Sequence, residues 1–119
     1  MKENIVKIKS FDFAIRVVKL FQYLQTEKKE FVISKQLLRS GTNPGAMIRE
    51  AEHSQSKADF IHKLSIAQKE INETIYWLEL LNATDYIIQK EFESINIDAI
   101  EIIKLITSII KSTKANINN

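Results

Sequence analysis

The sequence predicts an all-α fold, an antiparallel up-down-up-down four-helix bundle, and three observations lead there. The chain has 119 residues, enough for one compact domain over 1–119 and too few for two. It contains two Gly and one Pro; a sheet fold needs many turns and hence many breakers, whereas a few long helices need few. Its apolar residues recur at helical spacing in four stretches joined by short connections, which forces neighbouring helices to run antiparallel. The apolar share of 45% and charged share of 27% are an ordinary globular balance. The absence of Cys excludes disulfides, thiolate metal sites and a cysteine nucleophile.

The first helix is expected over about 10–27. Phe13, Val17, Leu20 and Leu24 form its stripe, flanked by Phe11, Ala14, Val18 and Phe21. Ser10 or Asp12 can cap its start, since either side-chain oxygen can accept from a free N–H of the first turn. It ends in Glu27-Lys28-Lys29-Glu30.

The second helix, about 31–54, carries Ile33, Leu37, Ser40, Pro44, Met47, Ile48 and Ala51. All three breakers of the chain fall within it, in Gly41-Thr42-Asn43-Pro44-Gly45. Pro44 lacks an N–H and crowds the carbonyl four residues back, and Asn43 before it is biased away from helical angles. A kink or short break is therefore expected near 41–44, with Pro44 opening a restarted helix capped by Thr42 or Asn43. Gly41 and Gly45 share one face, either to admit a neighbouring backbone or simply to relieve the bend.

The third helix, about 56–82, has the cleanest pattern. Phe60, Leu64, Ala67, Ile71, Thr74, Leu78 and Leu81 alternate steps of four and three, a heptad seam. Ser56, with Asp59 three residues on, reads as its start. Ile61, Ile66, Ile75 and Trp77 lie outside the seam and widen the apolar surface. The fourth helix, about 91–114, carries Phe92, Ile95, Ala99, Ile102, Ile103, Ile106, Ile109 and Ile110, and its pattern fades into a frayed tail over 116–119.

Charge is uneven along the chain. Residues 1–63 hold 12 Lys/Arg and 7 Asp/Glu, whereas residues 64–119 hold 5 and 8, so the halves carry +5 and −3. A basic half can steer toward phosphates, and it can equally pair with an acidic face of a neighbouring helix. No apolar run reaches membrane-span length, and the N-terminus does not lead into a signal-peptide stretch, so a cytoplasmic protein without membrane contact is expected.

Chemistry-bearing motifs are few. Glu50-Ala51-Glu52-His53 matches half of a di-iron signature and Asp59-Phe60-Ile61-His62 is a shorter relative. Both sit beside the 54–56 turn rather than at core level, so no metal or other cofactor is expected and the two His read as solvated. No nucleophile elbow, P-loop or dinucleotide fingerprint is present, and no catalytic residue or small-molecule substrate is identified. With helices two and three antiparallel about residue 55, position i faces roughly 110 − i. Arg39 then lies near Glu70 and Glu73, and Gln36 near Thr74. An Arg39–Glu73 ion pair, partly shielded from water, is expected; the alternative is two exposed charges doing little.

The stretch from Ser34 to Ala51, with Phe60 to Ala67 and Glu73 to Leu81, resembles the helix-two and helix-three signatures of the four-helix bundle family named after the 23S rRNA intervening sequence. The resemblance extends over nearly the whole chain. It departs at Asn43 and Pro44, where the family commonly has Ser and an aliphatic residue, and at Met47, where Asn is frequent. It implies a bacterial bundle that assembles into a homo-oligomer, typically a pentamer. It also implies kinship with the accessory variability determinant of diversity-generating retroelements, a basic pentamer that binds nucleic acid. It brings no catalytic residues.

The resulting expectation is a non-enzymatic homo-oligomer that binds RNA or DNA without reading sequence, or alternatively a protein-interaction scaffold with no nucleic-acid ligand. Candidate phosphate contacts are Lys7, Lys9, Arg16, Lys19, Lys28, Lys29, Lys35, Arg49, Lys57 and Lys63, long cations mostly off the apolar seams. No helix-turn-helix or aromatic platform for base reading is apparent.

Overall fold

The computed structural model describes residues 2–117, which form α1 (Lys2–Thr26), α2 (Ile33–Ala51), α3 (Lys57–Ala83) and α4 (Gln89–Ile117). Each helix packs on its chain neighbours, and α4 closes the ring against α1. Every adjacent pair runs antiparallel. Lys2 meets Ser108 and Arg16 meets Asp98 across α1–α4, Gly41 meets Val17 across α1–α2, Ser40 meets Thr74 across α2–α3, and Gln68 meets Thr107 across α3–α4. The bundle is 52 Å long and about 20 Å across. Among the described residues there is no strand.

α1 starts eight residues before the expected position. Its core stripe begins at Val6 and runs through Ser10, Phe13, Val17, Leu20 and Leu24, so the periodicity extends further toward the N-terminus than the aromatic residues suggest. Ser10 and Asp12 are therefore not caps. Ser10 is buried in mid-helix and its hydroxyl donates back to the Lys7 carbonyl at 3.1 Å.

α2 is not broken at 41–44. It passes through Pro44 as one helix, and Thr42 Oγ1 donates to the Leu38 carbonyl at 2.7 Å instead of capping a restart. Pro44 removes one rung of the ladder, the bond to the Ser40 carbonyl, while the rest of the helix continues around it. Gly41 and Gly45 both face α1. A Cβ on Gly41 would lie 2.7 Å from Val17 Cγ2, and one on Gly45 would lie 3.5 Å from the Ser10 carbonyl oxygen. At Gly41 it is thus a side chain, Val17, and not a backbone that occupies the space a Cβ would take, and at Gly45 the nearest backbone stands at ordinary contact distance.

The start of α2 is organised by a residue outside it. Glu30 is buried, and its carboxylate accepts the N–H groups of Val32 at 3.2 Å, Ile33 at 3.0 Å and Ser34 at 2.6 Å. The Ser34 hydroxyl donates to the Glu30 carbonyl at 2.9 Å. One side chain therefore satisfies three N–H donors at the helix start. Burial pushes the Glu30 carboxyl up, but the three N–H groups together outweigh it and hold the group below its ordinary value.

α3 buries Leu64, Ala67, Ile71, Thr74, Leu78 and Leu81, the seam read from the sequence; Phe60 at its start is half-buried. Ser56 caps it, accepting from Asp59 N–H at 3.0 Å. Ile61, Ile75 and Trp77 are half-buried against the core. α4 buries Ile95, Ala99, Ile102, Ile106, Ile109 and Ile110. It continues through Ile117, three residues beyond the expected end, and residues 118–119 of the expected tail lie outside the described residues.

The helix ends use no glycine. Lys29 after α1 and Asp85 after α3 take the left-handed conformation, with φ of 55° and 67°. After α3 the Tyr86 N–H reaches the Leu81 carbonyl and the Asp85 N–H the Asn82 carbonyl, the paired bonds of a Schellman cap.

Candidate nucleic-acid interface

The ten candidate cations separate into two groups. Lys7 pairs with Glu52 at 3.0 Å, Lys9 with Glu101, Arg16 with Asp98 at 2.8 Å and Glu91 at 3.5 Å, and Lys63 with Glu50 at 3.2 Å. The neighbouring Glu101 carboxylate holds the Lys9 ammonium above its ordinary value. Arg49 lies over the Phe11 ring, 5.0 Å from its centroid. Each of these contacts ties one helix, or the turn ending it, to another. Among the described residues, Lys19, Lys28, Lys29, Lys35 and Lys57 make no ion pair.

Topology sorts the unpaired lysines further. The C-terminus of α1 and the N-terminus of α2 meet at one end of the bundle, which places Lys28, Lys29 and Lys35 together there. Lys19 stands two turns up α1. Lys57 opens α3 and is at the opposite end, so it does not share a surface with the others. The ten residues are thus not one basic face. Much of the charge difference between the two halves of the chain is taken up between helices, as complementary faces would do.

Arg39 belongs to that interhelical set. Its Nη1 donates to Glu70 Oε2 at 3.1 Å and its Nη2 to Glu73 Oε2, which also accepts from Trp77 Nε1 at 3.0 Å. The side chain of Arg39 is 51% exposed, against 13% for Glu70 and 30% for Glu73. Only the acidic side is shielded. Gln36 is exposed and does not meet Thr74. Thr74 Oγ1 instead donates to the buried Ser40 Oγ at 3.0 Å, one turn further along α2.

The histidine motifs do not converge. α2 ends at Ala51, so His53 lies beyond it, and both His53 and His62 are exposed. Glu50 and Glu52 are held by Lys63 and Lys7, and Asp59 accepts from the Gln55 N–H at 3.3 Å. Among the described residues no group of three or more His, Asp or Glu is placed to hold a metal ion, and no helix is long and apolar enough to cross a membrane.

One surface was not singled out by the sequence reading. Ile8, Phe11, Ile15 and Val18 repeat at steps of three and four along α1, and all are exposed. They form a second heptad seam on the side of α1 opposite its core stripe. Phe11 and Val18 are legible in the sequence only as flanks of the first stripe. The signal that separates the two seams is phase, because residues 8, 11, 15 and 18 keep a seven-residue repeat offset from 6, 10, 13, 17, 20 and 24.

Comparison with known proteins places this architecture. No curated protein matches the chain. Among solved structures it is similar to a protein of unknown function from the S23 ribosomal protein family of Bacteroides thetaiotaomicron. That likeness is 63% identity and a TM-score of 0.92, covering 93% of this chain and 99% of that one. The model of the 23S rRNA-intervening sequence protein family matches residues 2–108. A match of that extent, with the four-helix architecture and the signatures on α2 and α3, means that the chain belongs to the 23S rRNA-intervening sequence protein family.

Proposed function

We propose that the protein is a non-enzymatic, self-associating bundle of the cytoplasm that binds RNA or DNA through the lysines at the α1–α2 end. The observation that carries this reading is the sorting of the cations. Lys28, Lys29 and Lys35 share one end without carboxylate partners, while Lys7, Lys9, Arg16 and Lys63 are held between helices. Ammonium groups free of internal partners are the ones that can displace counterions from a phosphate backbone. Three lysines on one copy bind weakly. Several copies in one assembly, a pentamer in the reading its family resemblance suggests, would repeat the patch and multiply the affinity. Contacts of this kind position a backbone and read no bases.

The test is fluorescence anisotropy with labelled single-stranded and duplex RNA and DNA across a salt series. Affinity should fall linearly on logarithmic axes. Lys28→Glu with Lys29→Glu and Lys35→Glu should flatten the slope by about one per phosphate contact removed. Absence of binding at low salt, or a slope that the triple variant leaves unchanged, overturns the nucleic-acid reading.

The exposed seam on α1 favours a second reading, a protein-interaction scaffold with no nucleic-acid ligand. Under that reading the assembly forms and nucleic acid fails to bind at any salt.

A further inference from the structure

A cleft of about 420 Å³ opens between α1, the segment that joins α3 to α4, and the first turns of α4. Its floor is apolar: Leu20, Ile87 and Ile95 line it, each buried in the core. Its two walls are apolar and uncovered. Tyr23 stands on the α1 side, and Ile88, 71% exposed, on the other. Ile88 is held there by a well-fixed turn. The Tyr86 N–H bonds the Leu81 carbonyl at 2.9 Å, and Asn82 Nδ2 donates to the Ile87 carbonyl at 3.1 Å. The wall is therefore formed in advance and needs no ordering when something docks against it. The volume is in the range of small-molecule sites.

The mouth carries Arg16, Lys19 and Glu91. Arg16 already pairs with Asp98 and Glu91 and donates to both the hydroxyl and the carbonyl of Ser94. Lys19 makes no ion pair among the described residues and stands at the rim of an apolar cleft. We propose that this cleft binds an amphipathic carboxylate, its hydrocarbon part on Leu20, Ile87, Ile88 and Ile95 and its carboxylate on the Lys19 ammonium. Burying the tail covers the two exposed walls, and the headgroup supplies the counter-ion that Lys19 lacks. The site uses none of Lys28, Lys29 and Lys35, so it does not depend on their binding nucleic acid.

The experiment titrates the intact protein with octanoate, 1-octanol and octylamine, read by calorimetry and by isoleucine methyl shifts. Octanoate should bind best and octylamine worst, with shifts concentrated at Ile87, Ile88 and Ile95. Lys19→Gln should weaken octanoate about fivefold, the size of an exposed ion pair, and leave 1-octanol unchanged. Ile88→Ser should weaken octanoate and 1-octanol alike; the residue is exposed, so the fold is unaffected. Equal affinity for the three probes, shifts centred elsewhere, or no binding at millimolar concentration each overturns the proposal.

Discussion

Gly41 and Val17 set the spacing between α1 and α2: a Cβ on Gly41 would stand 2.7 Å from Val17 Cγ2 and 2.8 Å from Cγ1. Val17 is fully buried and stiff at χ1, so it cannot turn aside. Gly41→Ala should therefore destabilise the fold by about 1–3 kcal/mol, the range for overpacking, despite the better helix propensity of Ala. Gly45→Ala meets only ordinary contact with the Ser10 carbonyl and should be neutral or stabilising by up to about 1 kcal/mol. Urea denaturation of the two variants checks this. Adding Val17→Ala should reduce the cost of Gly41→Ala, a non-additivity expected only if the two side chains collide.

Glu30 supplies a second test, through pH. Its carboxyl is held below the ordinary value by the N–H groups at the start of α2. A depressed folded-state pKa contributes stability that is complete above the unfolded value of about 4.3 and is lost as pH falls through the folded value. Glu30→Gln should cost about 1–2 kcal/mol at pH 7, the scale of a lost cap. The gap to the unsubstituted protein should narrow as the pH drops below about 4. A gap that stays constant from pH 7 to pH 3 would show that the charge does not matter.

Most of the fold was legible because heptad spacing encodes the core directly. The α3 seam of Leu64, Ala67, Ile71, Thr74, Leu78 and Leu81 is buried as the steps of four and three require. The ends were less legible, for identifiable reasons. Lys29 and Asp85 hold left-handed positions that signal themselves only when Gly or Asn fills them. Glu30 reads as one charge in a run of four, and nothing local distinguishes a buried cap from a solvated carboxylate. At Pro44 only the expected break is missing: a single lost rung does not stop a helix that is packed on two sides by α1 and α3. The candidate interface was least legible. Which lysines have partners depends on which carboxylates the tertiary register brings near, and Lys9 with Glu101 is a pairing across 92 positions that no local pattern contains.

Arg39, Glu70, Glu73 and Trp77 form one polar network on the α2–α3 seam. Because Arg39 is half exposed, Arg39→Met should cost about 0.2–1 kcal/mol, well short of a buried charge. Glu73→Leu should cost more, since it removes the acceptor of the Trp77 indole as well as the partner of Arg39. Joining the two changes should be milder than their sum. Strict additivity in that double-mutant cycle would show that the pair carries no coupling.

The outward seam of α1 bears on assembly. Ile8 and Ile15 are 62% and 41% exposed on a single chain, so replacing both by Ser should alter the stability of that chain by only about 0.5 kcal/mol per site. If the seam lies between copies, the same double change removes apolar area from each contact and the assembly should dissociate. Light scattering should then give the mass of one 13.8 kDa chain for Ile8→Ser/Ile15→Ser and a multiple of it for the unsubstituted protein. Ile97→Ser, about as exposed as Ile8 but on α4, is the control and should leave the mass unchanged. Helicity by circular dichroism separates loss of assembly from loss of fold. A double variant that keeps the parent mass, or a parent that is already a single chain, removes the seam from the account of how this bundle works.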